Sequence, residues 1–218
     1  MTDRILKFLT EISGNNNRQW FADNKSKYEA ARNDFIVLMT SLHREIAAFD
    51  EDIRTLNPRE CIFRIFRDVR FSKDKAPYKT NFGAYFNKNG KKTPSAGYYF
   101  HLEPGNCFLS GGIYMPPPDV LKSIRQEIYY NFDEFTKIIS AKKFCDLFGD
   151  VTGDKLQRLP TGFPNGFQGG EYLKLKDYYV NHFYQPTAFS EKELISYAVK
   201  VFREMKPLND FLNRALTL

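Results

Sequence analysis

The spacing of apolar residues changes twice along this chain, and this change constrains the fold more than any other feature of the sequence. In residues 28–49 apolar side chains recur every three or four positions, which is the period of a helix with one buried face. After Asn57-Pro58 the pattern becomes extended, and it stays extended to residue 115. A helical period returns after residue 115, first after Pro116-Pro117-Pro118 and again after Ser190-Glu191-Lys192-Glu193, a capping box. This order predicts an α+β fold with a central, mainly antiparallel sheet packed by N-terminal and C-terminal helices.

The predicted sheet consists of short segments rich in β-forming residues. We expect strands at residues 61–66, 82–86, 97–103 and 106–115, joined by residues 178–184. Pro104-Gly105 suits the centre of a type II turn, so the strands beside it are predicted to pair as a hairpin in which the numbers of paired residues sum to 209. This register places six residues on a buried face: Tyr98, Phe100, Leu102, Cys107, Leu109 and Ile113.

The other face of this hairpin is mixed in character. It carries Tyr99, His101, Glu103, Asn106, Phe108, Ser110 and Tyr114. Because this set is too polar for a buried layer and too aromatic for a plain solvent face, we expect either a binding surface or a layer covered by a helix. His101 is the candidate general acid or base on this face, and the alternative is a structural hydrogen bond.

Helices are predicted on both sides of the sheet segments. Shorter ones are expected near residues 3–12, 133–140 and 142–148, and longer ones begin near Asp23 or Asn24, at Pro116-Pro117-Pro118, and after Ser190. The last helix is expected to run to Pro207, and residues 161–170 are predicted to form a loop. Because no repeat or linker interrupts the pattern, we expect a single domain over residues 1–218.

The excess positive charge of the chain is concentrated in its middle. The net charge is +6, but residues 54–100 hold eleven Lys and Arg against three acids, and the remaining residues hold 21 bases against 23 acids. Such a concentration is typical of a surface that meets an anion. Six of these bases lie within residues 64–79, the basic loop: Arg64, Arg67, Arg70, Lys73, Lys75 and Lys79. The alternative is a structural loop whose acids, Asp68 and Asp74, pair with neighbouring bases.

These observations lead to one functional hypothesis and two alternatives. The leading hypothesis is a cytoplasmic protein that binds a phosphate-bearing or other anionic ligand through the six bases of the basic loop, with Tyr99 and His101 at the edge of the site. The alternatives are an enzyme, a hydrolase or transferase on an anionic substrate with His101 or Asp68 in proton transfer, and a module that binds single-stranded nucleic acid or an acidic protein.

The sequence gives no indication of a bound cofactor or of a membrane-spanning segment. The three cysteines, Cys61, Cys107 and Cys145, and the three histidines lack the spacing of a metal site, and the cysteines lack that of a disulfide framework, so no metal or other cofactor is predicted. We expect no signal peptide and no membrane-spanning segment.

The run RDVRFSKDKAPYKTNFG, residues 67–83, resembles the signature of the Domain of Unknown Function 2461 family. Further segments that are similar to this family include YYFHLEPG at 98–105, Gly111-Gly112, LPTGF at 159–163 and Pro207-Leu208. The resemblance covers most of the chain and therefore implies one domain. It implies no established activity, cofactor or catalytic residue, but it does mark the basic loop as a distinguishing feature of the family.

Overall fold

The computed structural model describes residues 1–216 and has an α+β fold built on one four-stranded antiparallel sheet. The strands lie side by side in the order in which they occur along the chain: β1 (Phe82–Asn87), β2 (Gly97–Leu102), β3 (Phe108–Ile113) and β4 (Tyr178–Phe183). The predicted fold class is confirmed.

Nine α-helices lie within residues 1–216: α1 (Thr2–Gly14), α2 (Arg18–Asp23), α3 (Lys25–Ala47), α4 (Pro58–Cys61), α5 (Pro118–Tyr130), α6 (Phe132–Ile139), α7 (Lys142–Phe148), α8 (Gly170–Leu173) and α9 (Glu191–Arg214). Two short 3-10 helices lie at Glu51–Ile53 and Pro186–Ala188. The predicted capping box is present, because the Ser190 side chain accepts from the backbone of Glu193 and the Glu193 carboxylate accepts from that of Ser190. None of these helices has the length and apolar character needed to cross a bilayer.

The β2–β3 hairpin has the predicted register. Gly97 pairs with Gly112, and Phe100 pairs with Leu109, so that paired numbers sum to 209. The turn is closed by the Asn106 amide, which donates to the Glu103 carbonyl at 3.0 Å. Gly105 has a φ of +79°, the left-handed conformation that the third residue of a type II turn requires.

One face of the sheet is buried under the two longest helices. Phe35 of α3 contacts the rings of Phe82 and Phe100, with centroid distances of 5.3 and 6.2 Å. Helix α9 packs on β3, where Gly111 leaves room for Met205. Because residues alternate between the two faces of a strand, the odd-numbered residues of β1 and β2 face the other side.

Two sequence predictions are wrong, and the first concerns residues 61–66, which form no strand. Cys61 ends α4, and the residues after it make only two isolated bridges, Ile62 to Ala84 and Phe66 to Tyr78. Ile62 and Ile65 of this segment are buried, so their β-branched side chains contribute to the core without a strand, whereas Phe66 is half-exposed.

The second wrong prediction concerns the last helix, which does not stop at Pro207 but continues to Arg214. An internal proline costs a helix about 3 kcal/mol. The turns beyond it bury Leu208, Phe211 and Leu212, and each such side chain contributes about 1.5 to 3 kcal/mol. Burial therefore outweighs the local preference to end the helix.

Short segments run along both outer strands of the sheet. Beside β1, the Phe63 amide donates to the Gly83 carbonyl at 2.9 Å, next to the bridge between Ile62 and Ala84. Beside β4, Thr152 and Tyr179 exchange backbone hydrogen bonds of 2.8 and 3.2 Å.

Candidate ligand-binding cleft

The sheet face turned away from the two long helices forms the floor of a cleft. Cross-strand pairing arranges its residues in three rows: Gly83, His101, Phe108 and Phe183; Tyr85, Tyr99, Ser110 and Asn181; Asn87, Gly97, Gly112 and Tyr179. The cleft has a volume of about 650 Å³ and lies mainly over the second and third rows. The alternative of a covering helix is not observed, because none of the described residues that line the cleft belongs to a helix.

The wall beside β1 is basic. It contains Lys79, Lys91 and Lys92 together with the ring of Phe63, and no Asp or Glu is among the described residues that line the cleft. We call these four residues the lysine wall. None of the three lysines forms an ion pair within residues 1–216.

Lys79 and Lys91 are held against the same aromatic ring. Their ammonium nitrogens lie 5.2 and 5.6 Å from the centroid of Phe63. The Lys91 ammonium also donates to the Ile62 carbonyl at 2.6 Å, which fixes the end of its side chain. Burial lowers the pKa of both groups, and the charges of Arg64 and Lys91 lower the pKa of Lys79 further. The charge of Glu60 acts in the opposite direction on the pKa of Lys91, but no described carboxylate forms an ion pair with either lysine. The wall therefore holds positive charge that is partly dehydrated and not ion-paired.

Three of the six bases of the basic loop, Arg67, Arg70 and Lys75, bond to groups of the same loop. Arg67 donates to Asp74 at 2.6 Å and to the Ala76 carbonyl at 3.0 Å. Arg70 pairs with Asp68, its Nη2 lying 2.7 Å from a carboxylate oxygen. Hydrogen bonds from Arg70 lower the pKa of Asp68, and those from Ala76 and Arg67 lower the pKa of Asp74.

The other three predicted bases differ in their surroundings. Lys75 donates to the Val69 carbonyl at 3.0 Å. Arg64 and Lys73 are exposed and have no hydrogen bond or ion pair among the described residues. Of the six predicted bases, the structure thus brings Lys79 alone into the cleft lining, with Arg64 near enough to act on its charge.

Tyr99, His101 and Glu103 form a hydrogen-bonded chain along β2. The Tyr99 hydroxyl lies 2.9 Å from His101 Nδ1, and His101 Nε2 lies 3.1 Å from the Glu103 carboxylate. Because a carboxylate accepts, Nε2 carries the proton and Nδ1 accepts from Tyr99. The His101 ring stacks on Phe108 at 4.3 Å and is buried. Both nitrogens are therefore occupied by protein groups, and Tyr99 is the member of the chain that lines the cleft.

Burial dominates the ionisation of this chain. It lowers the pKa of His101, although the hydrogen bond and the charge of Glu103 act in the opposite direction. Burial and the Glu103 charge raise the pKa of Tyr99 to about 12. Burial opposes ionisation of Glu103 too, but hydrogen bonds from Thr80, His101 and Asn106 outweigh it and lower the pKa of that carboxyl.

The wall opposite the lysines is an aromatic rim, formed by the rings of Tyr114 and half-buried Tyr179 with the side chain of Met115 between them in the chain. Tyr114 and Met115 are 69% and 72% exposed. Met115 has a φ of +49°, and no other residue besides glycine in the described chain has a positive φ. Its amide donates to the buried Asp177 carboxylate at 2.5 Å, which stabilises this conformation.

A family model described as "Conserved hypothetical protein (DUF2461)" matches residues 4–211. This range covers nearly the whole chain and includes every residue that lines the cleft. The chain belongs to the DUF2461 family. Searches of curated proteins and of solved structures give no significant match.

Two features of this DUF2461 chain were missed from the sequence. Lys91 and Lys92 enter the cleft from the loop between β1 and β2, and the charge count of residues 54–100 already included them. The position of the aromatic rim depends on the pairing of β3 with β4 and on Asp177, which is 62 residues away from Met115. Within residues 1–216 of this family member, no cluster of His, Cys, Asp or Glu could hold a metal ion.

We expect the stability of the DUF2461 chain to fall as the pH is lowered from about 6.5, the usual pKa of histidine. Because the pKa of folded His101 is lowered, the unfolded chain takes up this proton first, and folding is disfavoured between pH 6.5 and the folded pKa. Glu103 adds a loss of stability below about pH 4.5, since its folded pKa is also lowered. An NMR titration of the imidazole and urea unfolding at pH 7.5 and 5.5 check this expectation. A titration midpoint for His101 above 6.5 would contradict it, and His101→Gln should flatten the difference between the two pH values.

Proposed function

We propose that the cleft binds a phosphate-bearing or other anionic ligand, with Lys79 and Lys91 as its principal cationic contacts. The observation that carries this proposal is the composition of the cleft, which among the described residues is lined by three lysines and by no carboxylate. Arg67 and Arg70 of the basic loop differ from these lysines, because they are paired with Asp74 and Asp68.

The energetics of the lysine wall support an anionic ligand. Two ammonium groups near one ring repel each other and have lost part of their hydration, so the free protein carries a cost that an anion would remove. A hydrogen bond to a charged group contributes about 1.5 to 3 kcal/mol. Two such contacts suffice for a ligand that binds in the micromolar range, provided that the rest of the ligand also makes contacts.

Under this proposal, the predicted site residues differ in how much each contributes to ligand binding. Lys79 and Tyr99 remain in the site because they line the cleft, and Arg64 contributes through its charge. Arg67 and Arg70 are neutralised by the acids of their own loop and are not expected to contact the ligand. His101 acts behind Tyr99 and positions its hydroxyl.

A salt titration of anion binding tests the proposal. We expect inorganic phosphate and sugar phosphates to bind at low salt and to weaken as the salt concentration rises. The double variant Lys79→Gln with Lys91→Gln should lose at least about 100-fold in affinity, because it removes two charged contacts. Isothermal titration calorimetry measures both effects.

Two matched variants sharpen the test. Lys137→Gln removes an exposed lysine that does not line the cleft and should leave binding unchanged. Arg67→Ala with Arg70→Ala should cost less than about 3-fold, since both side chains are already paired. If this arginine pair mattered more than the lysine pair, the ligand would bind to the basic loop instead of the cleft.

A second candidate function is proton transfer on the bound anion, and the Tyr99–His101–Glu103 chain is the observation that favours it. In hydrolysis of a bound ester, a water oxygen would bond to phosphorus as the bond to the leaving phenolate breaks. The water proton would pass to the Tyr99 oxygen while the hydroxyl proton of Tyr99 passes to His101 Nδ1, and the resulting imidazolium would be stabilised by Glu103. Asp68, the other predicted acid, is bound to Arg70 and does not line the cleft.

Turnover of phosphate esters tests this candidate. If it is correct, p-nitrophenyl phosphate or its diester should be hydrolysed, and Tyr99→Phe should lower kcat by about 100-fold or more. His101→Gln should shift the pH profile of kcat as well as lower it, because His101 receives the proton. A wild-type protein that binds both esters without turnover would leave anion binding as the function.

A further inference from the structure

We infer that the anionic ligand of the cleft is a nucleotide, with its phosphate on the lysine wall and its base against the aromatic rim. This inference rests on the proposed function and assigns the part of the ligand that the lysines do not contact. The cleft is chemically two-sided: its cations come from the side of β1, and the rings of exposed Tyr114 and half-buried Tyr179 come from the ends of β3 and β4.

The aromatic rim has the properties of a stacking surface. Tyr114 is 69% exposed, although a tyrosine ring is largely apolar. Tyr114 and Tyr179 meet edge to face with centroids 5.8 Å apart, an arrangement that leaves a ring face open. Stacking of a base on such a ring is worth about 1 to 3 kcal/mol.

This rim is held in position by the fold. Met115 adopts a left-handed conformation that long side chains rarely take, and the buried Asp177 carboxylate secures it by accepting from its amide. Asp177 also accepts from the Asp154 amide at 3.4 Å, so the rim is tied to a second segment of the chain. Strain that the structure retains at the edge of a cleft is a common property of binding sites.

The dimensions of the cleft suit a ligand with two different ends. Lys79 and Lys91 lie beside β1, whereas the rim follows β3 and β4, so two to three strand spacings, roughly 10 to 14 Å, separate the walls. The volume of about 650 Å³ is within the range of small-molecule sites. A nucleotide carries its charge and its planar ring at opposite ends, whereas phosphate alone would fill one wall only.

On β4, two residues from Tyr179 of the rim, lies an amide that has no partner among the described residues. Asn181 is on the floor of the cleft in the same row as Tyr99, and its side chain makes no hydrogen bond within residues 1–216. Its neighbour in that row, Ser110, is already bonded to the Val180 carbonyl at 2.8 Å. Because an amide offers both donors and an acceptor, Asn181 can bond to a ribose hydroxyl or to the edge of a base.

Calorimetry with three probes of increasing size tests the inference: inorganic phosphate, ribose 5-phosphate and the four ribonucleoside 5′-monophosphates. We expect at least one nucleotide to bind 10-fold or more tightly than ribose 5-phosphate. Tyr114→Ala should abolish this preference and leave the affinity for ribose 5-phosphate unchanged. Tyr130→Ala is the matched control, since Tyr130 is 74% exposed and does not line the cleft.

The outcomes separate the inference from the proposed function. If ribose 5-phosphate binds as tightly as every nucleotide, the nucleotide assignment is overturned and anion binding stands. If no probe binds at low salt, the proposed function fails and the assignment fails with it. If a nucleotide does bind more tightly than ribose 5-phosphate, thymidine 5′-monophosphate is compared with a ten-residue thymidine oligonucleotide. This comparison shows whether the ligand is a free nucleotide or single-stranded nucleic acid. A gain of more than 10-fold for the oligonucleotide indicates single-stranded nucleic acid, equal affinity indicates the free nucleotide, and both results support recognition of a base with its phosphate.

Discussion

Replacing Gly112 by alanine should lower the free energy of unfolding by about 2 to 6 kcal/mol. Gly112 has a φ of +118°, and a Cβ placed on it would lie 2.1 Å from the Tyr178 carbonyl oxygen. The unfavourable conformation costs about 1 to 3 kcal/mol, and the overlap with the backbone of β4 adds about 1 to 3 kcal/mol. Urea unfolding measures the loss, which should appear as a lower midpoint with an unchanged slope.

Gly90→Ala is the matched control for this substitution. Gly90 also has a positive φ, +77°, but a Cβ at that position would have nothing within 4 Å. Its cost should therefore be limited to the conformational strain, about 1 to 2 kcal/mol. Equal losses in the two variants would show that the close approach of β3 and β4 does not matter for stability.

Truncation of Phe35 to alanine should cost about 3 to 5 kcal/mol. The Phe35 ring is fully buried between α3 and the sheet, where it contacts Phe82 and Phe100. Its loss leaves a cavity that two other aromatic rings line, and rigid rings on adjacent strands cannot easily close it. Thermal and urea unfolding should both report the change.

Val37→Ala is the comparison on the same helix. Val37 is 49% exposed, so its truncation should change stability by no more than about 0.5 kcal/mol. A large effect at Val37, or a small one at Phe35, would mean that the buried face of α3 has been assigned incorrectly.

The β2–β3 hairpin could be predicted from the sequence because its determinants are local. Pro104-Gly105 defines the turn, and alternation of apolar side chains then leaves one register that buries Tyr98, Phe100 and Leu109 together. The same logic failed for residues 61–66. That segment has β-forming side chains but lacks a continuous partner strand, and pairing is decided by the rest of the fold.

The sequence predicted a candidate site rich in bases, but it identified only some of the residues that line the cleft. The charge count located an excess of bases in residues 54–100, but it could not distinguish Lys91, which enters the cleft, from Arg67, which is paired with Asp74. That distinction depends on where each side chain points after folding. The aromatic rim could not be predicted, because Tyr114 and Tyr179 belong to segments whose pairing spans more than 60 residues of intervening sequence.

The segments that flank the outer strands also bear on how this protein behaves at high concentration. Backbone groups at the margin of a sheet readily recruit a strand from a second molecule, and exposed aromatic rings nearby make such growth more favourable. In this chain Phe63 occupies part of one margin and Thr152 part of the other. The chain can therefore expose a strongly aromatic cleft to solvent while limiting the sites at which intermolecular sheets could nucleate.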